Sequence, residues 1–187
     1  MAFEIDLEHN LCVLAEQINN RTYQPKPAIA FIVNKPVQRE IFAADFSDRI
    51  VHHLIYRCLY HKHIDPFLIK DSYSCRKGKG TLYGIKRATH FMRSCTQNYT
   101  QDAYILKLDV SGYFMNMSHT ILFNKVMPFI TKKEYLNISS QLLKELIHKT
   151  IFAKIVSNCR IKGDKKQWKG LPQNKSLFHK HNLILIR

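Results

Sequence analysis

Apolar residues recur at helical spacing between residues 6 and 18, where Leu7, Leu11, Leu14 and Ile18 share a face and Asp6 stands at the capping position. Asn19-Asn20 ends that run. The prolines of Tyr23-Gln24-Pro25-Lys26-Pro27 then force an extended approach. Ala28 to Val33 is a continuous apolar strand, Asn34-Lys35-Pro36 a turn, and Val37 to Ile41 a second strand, which together read as a hairpin. Asp45-Phe46-Ser47-Asp48 opens a helix with an apolar stripe of Ile50, Val51, Leu54, Ile55, Cys58 and Leu59, expected to end by Asp65-Pro66. Arg49, His52, His53, Arg57 and His61 make its other face basic. A further helix is expected after Thr81, through about Asn98, with Leu82, Ile85, Phe91, Met92 and Cys95 turned inward.

The chain is organised around Tyr104-Ile105-Leu106-Lys107-Leu108-Asp109-Val110-Ser111-Gly112-Tyr113-Phe114. Counted by twos, Tyr104, Leu106, Leu108 and Val110 share one face, and Ile105, Lys107 and Asp109 the other. This predicts a buried strand that carries one carboxylate to its C-terminal end and turns at a glycine. An acid there is costly to bury unless a cation meets it, and a divalent metal is the obvious one. The plainer reading is an aspartate that ends a strand and caps the next turn. Beyond it, Ser118 is placed to cap a helix bearing Ile121, Leu122 and Val126. Thr131-Lys132-Lys133-Glu134 has capping-box spacing for another, whose Leu142, Leu143, Leu146, Ile147 and Ile151 run on to about Ile155. Lys162 to Lys175 is basic and polar apart from Trp168, and the chain ends on the short apolar run Leu183 to Ile186. Internal repeats, low-complexity tracts and a clear interdomain linker are absent.

Length and composition leave this picture ordinary: 187 residues, 45% hydrophobic and 23% charged, are those of a folded chain with a core. Charge changes it. Lys and Arg number 29 against 14 Asp and Glu, a net +15, which points to a polyanionic partner. No apolar run reaches the roughly 18 residues of a membrane span, and the N-terminus has no signal-peptide core. Nucleic acid, with no membrane, and a cytoplasmic location are therefore expected. Cys12, Cys58, Cys75, Cys95 and Cys159 are odd in number, scattered and without a CxxC pair, so neither a disulfide framework nor a zinc ribbon is indicated. Cys58, His61 and His63 point different ways on a helix and make a poor zinc site.

Two basic features carry candidate chemistry. Lys35 at the hairpin tip and Arg39 on the return strand are able to grip a phosphate, the arginine bidentately; a solvated lysine and an edge-strand arginine are the alternative. Ser72-Tyr73-Ser74-Cys75-Arg76-Lys77-Gly78-Lys79-Gly80-Thr81 puts three cations among two glycines just before a helix, a combination that favours phosphate. It lacks the GxxxxGK[ST] order of a P-loop, and a flexible basic loop is the alternative.

Taken in order, these pieces resemble the N-terminal half of a reverse transcriptase, over nearly the whole chain. The hairpin with Arg39-Glu40-Ile41 and the helix Phe46-Ser47-Asp48-Arg49-Ile50-Val51-His52-His53 look like the first fingers motif. Tyr73 to Thr81 looks like the second, an aromatic followed by Arg-x-Gly-[Arg/Lys]-[Gly/Ser]-[Thr/Ser]. Leu108-Asp109-Val110-Ser111-Gly112-Tyr113-Phe114 looks like the first palm motif, a strand followed by Asp-x-x-x-aromatic-aromatic. Trp168-Lys169-Gly170-Leu171-Pro172-Gln173 is similar to a segment of bacterial enzymes of the diversity-generating retroelement, retron and group II intron kind, although Asn174-Lys175 does not continue their motif.

The resemblance implies an α+β fold: helix-rich fingers with a β-hairpin over residues 1–100, then over 101–187 an incomplete palm with a central antiparallel sheet. It implies RNA-directed DNA synthesis with two Mg2+ ions about 3.5–4 Å apart. Asp109 would ligate metal with the Val110 carbonyl, and Phe114 would be the steric gate against a ribose 2′-hydroxyl. Ser111, Gly112 and Tyr113 would face the triphosphate, Lys35 and Arg39 would neutralise its phosphates, and Arg76, Lys77 and Lys79 would hold template backbone. Exposed aromatics such as Tyr73 would stack template bases. The implied partners are an RNA template, a DNA primer, a deoxynucleoside triphosphate and a retroelement accessory protein. Tyr-x-Asp-Asp, which supplies the remaining carboxylates, is absent. The expectation is therefore a truncated gene product or excised fragment, inactive alone, whose palm strands expose an edge. A non-catalytic basic RNA-binding module sharing the fingers is the second reading, and another palm-type polymerase the third.

Overall fold

The computed structural model describes residues 2–110, 112–130, 137–171 and 176–177. After a one-turn helix Ala2–Ile5 come α1 (Leu7–Asn19), β1 (Ala28–Val33), β2 (Arg39–Ala43) and α2 (Phe46–Leu59). A π-helical turn Tyr60–Ile64 and a 3-10 turn Asp65–Phe67 lead to α3 (Thr81–Cys95). A one-turn helix Tyr113–Asn116 precedes α4 (His119–Val126), α5 (Ser140–Ile151), β3 (Cys159–Ile161) and α6 (Lys165–Lys169). The coarse α+β class is thus present. The chain divides into two compact units, one of Met1–Leu59 with Gly112–Arg187 and one of Tyr60–Ser111.

In the first unit the hairpin forms as the sequence predicts, with Val33 opposite Arg39 and Ile29 opposite Ala43. Its return strand starts two residues later than Val37. The sheet runs β2-β1-β3, with β3 parallel to β1 through Ala28–Cys159 and Ala30–Ile161 pairs. It is therefore a small mixed sheet that joins the hairpin to β3. Three residues were too few to signal β3 by pattern. One face of the sheet buries Ala30 and Ile32 against Trp168 and Leu171, with Phe42, Val156 and Cys159 around them. Trp168, which interrupts a polar stretch in the sequence, is there the anchor of a small core.

The larger core joins Leu14 and Ile18 of α1, Tyr23, Val51 of α2 and Leu146 of α5, with Ile50, Leu54, Ile55 and Leu142 packed on it. Leu7 and Leu11 of the predicted α1 stripe remain exposed, and Asp6 accepts no capping bond. Asp45 does cap α2: its carboxylate accepts from the Ser47 amide at 3.0 Å and hydroxyl at 2.7 Å, and its carbonyl from the Arg49 amide. Ser118 and Ser139 cap α4 and α5 through the amides of Ile121 and Leu142. The capping box at Thr131 to Glu134 and the tail Leu183 to Ile186 lie outside the described residues.

Asp48, 3% exposed, lies one turn into α2. It accepts from the Tyr23 hydroxyl at 2.8 Å and the Lys26 amide at 2.9 Å. Burial, reinforced by Asp48, pushes the Tyr23 hydroxyl well above the usual tyrosine range. Lys149 of α5 donates to the Tyr23 and Arg21 carbonyls, and Arg21 pairs with Glu145 at 3.0 Å. These bonds pin the extended approach between α2 and α5.

The second unit departs most from expectation. Residues 102–110 form no strand, and Tyr104 is 98% exposed, with Ile105, Leu106, Leu108 and Val110 also in the open. Helix α3 buries none of its residues, and Leu82, Ile85, Phe91 and Cys95 are exposed. Both patterns are compatible with burial, but burial needs a partner packed on the apolar face, and in α3 the packing of Tyr73 falls on Tyr83 and Gly84 instead.

Leu143 is fully buried, so Leu143→Ala should lower unfolding stability by about 2–5 kcal/mol in denaturant titration. Asp45→Ala should cost about 1 kcal/mol at neutral pH through the lost cap. Partial burial opposes ionisation of Asp45, but the Ser47 hydroxyl and amide and then Lys26 outweigh it and hold the carboxyl below its ordinary 3.8. That contribution is present above the unfolded value and is lost as pH falls through the lower folded one. The difference between Asp45→Ala and the parent should accordingly shrink on acidification below about pH 4.

Candidate nucleic-acid interface

The hairpin presents its two cations to solvent. Lys35 lies in the turn and Arg39 opens β2, both exposed, and neither meets an acid among the described residues. Their neighbours are tied down: the Gln38 amide donates to the Gln167 carbonyl at 2.8 Å, and Glu40 accepts from the Ser176 hydroxyl and Leu177 amide. The result is an anchored strand pair with two unpaired positive charges, suited to a phosphate.

The basic loop before α3 is built differently from its sequence reading. Arg76 has a side chain only 9% exposed, and its Nε donates to Asp65 Oδ1 at 2.7 Å. Its terminal nitrogens donate to the carbonyls of Asp65, Ile69 and Ser72 at 2.9–3.2 Å. These four guanidinium donor bonds cross-link the loop, adding to its own backbone bonds. Arg76 is thus a clamp whose guanidinium is engaged within its own loop. Lys79 donates to the Lys70 carbonyl and lies 5.4 Å from the Tyr83 ring. Only Lys77 of the three remains exposed and unengaged among the described residues.

Tyr73 packs 5.6 Å from Tyr83, and Gly84 of α3 leaves the space for its ring, since a Cβ there would come within 3.0 Å of it. Arg87 secures the same unit through Asp71 at 2.5 and 3.0 Å and lies over Phe91 at 4.5 Å. Arg76 and Arg87 were invisible as structural residues because the pairing acids lie on loops whose path no periodicity reveals.

Asp109 is exposed, and its carboxylate accepts from the amide of the next residue, Val110, at 2.9 Å. Ser111 lies outside the described residues. Gly112, in the first unit, has φ 60° and ψ 31°. A side chain at this left-handed turn would be strained, and its Cβ would come within 2.9 Å of Asn116 Nδ2. The turn at glycine therefore stands. Tyr113 and Phe114 follow edge-to-face at 5.2 Å, with Phe114 85% exposed. Phe114 is not a core aromatic.

Among the described residues no three His, Cys, Asp or Glu side chains converge as a metal site, and the cysteines are free thiols. The described side chains do not assemble a two-metal centre. No described helix is long and apolar enough to cross a membrane. Set against known protein families, curated proteins and solved structures, the chain matches none.

Arg76→Ala should release the loop, so the Leu68 and Ser72 amides, bonded to the Asp65 and Ile69 carbonyls, exchange hydrogen faster while α5 amides do not change. Unaltered exchange at Leu68 and Ser72 would contradict the clamp.

Proposed function

We propose that the chain is the fingers and first palm segment of a reverse transcriptase-like RNA-directed DNA polymerase, with nucleic acid and nucleotide phosphates as its ligands. The observation that carries this is the ordered trio of motifs: Arg39 with Phe46 to His53, Tyr73 to Thr81, and Leu108 to Phe114. The net charge of +15 and the exposed, unpaired Lys35 and Arg39 support a polyanionic ligand. In this reading Asp109, with the Val110 carbonyl, contributes to Mg2+ ligation, Gly112 and Tyr113 line the nucleotide, and Phe114 gates the sugar. Lys77 replaces Arg76 as the loop's contact with template backbone. The RNA template, DNA primer, deoxynucleoside triphosphate and retroelement accessory protein belong to this proposal.

A second reading, a basic RNA-binding module without catalysis, is favoured by one observation: Asp109 stands without another carboxylate of a Tyr-x-Asp-Asp motif. Primer extension on oligo-primed RNA tests both. The 187-residue chain is expected to incorporate no nucleotide alone; supplied in trans with a segment bearing Tyr-x-Asp-Asp, it should gain synthesis that Asp109→Ala abolishes. Failure of every such complementation leaves the binding module.

Affinity for single-stranded RNA should fall steeply with salt. Lys35→Ala, Arg39→Ala and Lys77→Ala together should flatten the log–log slope by about 2, at roughly 0.7 per lost phosphate contact. An unchanged slope removes these three residues from the interface.

A further inference from the structure

The first unit also holds an open cavity of about 330 Å³ where the extended approach, the end of α5 and the connection to β3 meet. Lys26, Lys149 and Lys154 line it together with Pro25, Phe152 and Asn158, and no carboxylate does. Its volume lies at the lower end of small-ligand sites.

The charges around the cavity do not cancel. Lys149 is held by the neutral carbonyls of Tyr23 and Arg21, which fix its ammonium without neutralising it. Lys26 has Asp45 at 3.6 Å. Lys154 is exposed and has no side-chain partner among the described residues. The C-terminal end of α5 adds about half a negative charge. Three ammonium groups thus stand against the Asp45 carboxylate, the buried Asp48 carboxylate that accepts from the Lys26 amide, and that half charge, leaving a small positive excess, with Lys154 an ammonium that no acid meets among the described residues. The apolar wall is aromatic: His148 and Phe152 lie 4.6 Å apart at 31°, and Phe123 meets Phe152 edge-on at 5.7 Å. An anion with a planar ring would place its charge on the lysines and its ring on the Phe152 wall.

We propose that this cleft binds one nucleotide, its phosphate on Lys154 and Lys26 and its base against Phe152 and Pro25, with the Asn158 amide available to the base edge. The ligand is a nucleoside monophosphate unit, free or within a single strand. The proposal rests on the cleft alone and not on the polymerase reading.

The test is titration of the chain with adenosine monophosphate, followed by the NMR signals of the Phe152 and His148 rings. Those signals should shift on binding, and affinity should fall about fivefold in Lys154→Glu and measurably in Lys154→Gln, both at an exposed position outside the core. Lys35→Ala/Arg39→Ala should leave the affinity unchanged, which separates this site from the hairpin. A short single-stranded RNA that shifts the same rings assigns the nucleotide to a strand; the monophosphate acting alone assigns it to the free pool. Either source supports the site. Unshifted rings, equal affinity in both Lys154 variants, or inorganic phosphate binding as tightly as the nucleotide would overturn it.

Discussion

The first unit depends on how one buried carboxylate is satisfied. Asp48 enters the interior on the first turns of α2, three residues before Val51 begins the core, and an unpaired charge there would destabilise the fold by several kcal/mol. The Tyr23 hydroxyl and the Lys26 amide meet it with two direct bonds. Because Tyr23 and Lys26 flank Pro25, those bonds set the path of the chain into β1. Because the Tyr23 carbonyl accepts from Lys149, they also locate the end of α5. The hairpin that displays Lys35 and Arg39 and the nucleotide cleft beside Lys149 are both placed by this arrangement.

The positive charges of the chain fall into two groups. Arg21, Lys26, Arg76 and Arg87 each face an acid, and Lys79 and Lys149 hold backbone carbonyls. These residues close loops and join elements, and Lys26, half exposed beside Asp45, also lines the cleft. Lys35, Arg39, Lys77 and Lys154 are exposed without such partners and are the groups on which an anionic ligand can draw. The excess of charge was legible in the composition. Its division between structure and recognition was not, because the acids that engage it are remote in sequence.

The functional reading still rests on motif order, which survives any particular packing of the chain. Geometry alters the weights inside it. Gly112 takes a left-handed turn, and Phe114 is exposed. Arg76 is bonded within its own loop, and Tyr73 packs against Gly84 and Tyr83. The strand expected at Tyr104 to Val110 is exposed chain. Alternating apolar residues state that a segment is able to enter a sheet, but only neighbouring strands with matching hydrogen-bond edges put it there.

Local physical chemistry was enough for β1, the hairpin, α2 with its Asp45 cap, and the buried Leu143, Leu146 and Ile147 of α5. Each follows from short-range rules of turn chemistry, capping and periodicity. Tertiary structure alone decided the parallel pairing of β3 with β1, the core around Trp168, the clamp formed by Arg76, and the cleft beside Lys154. These join residues far apart along the chain, and their energy comes from contacts that exist only once the backbone has brought them together.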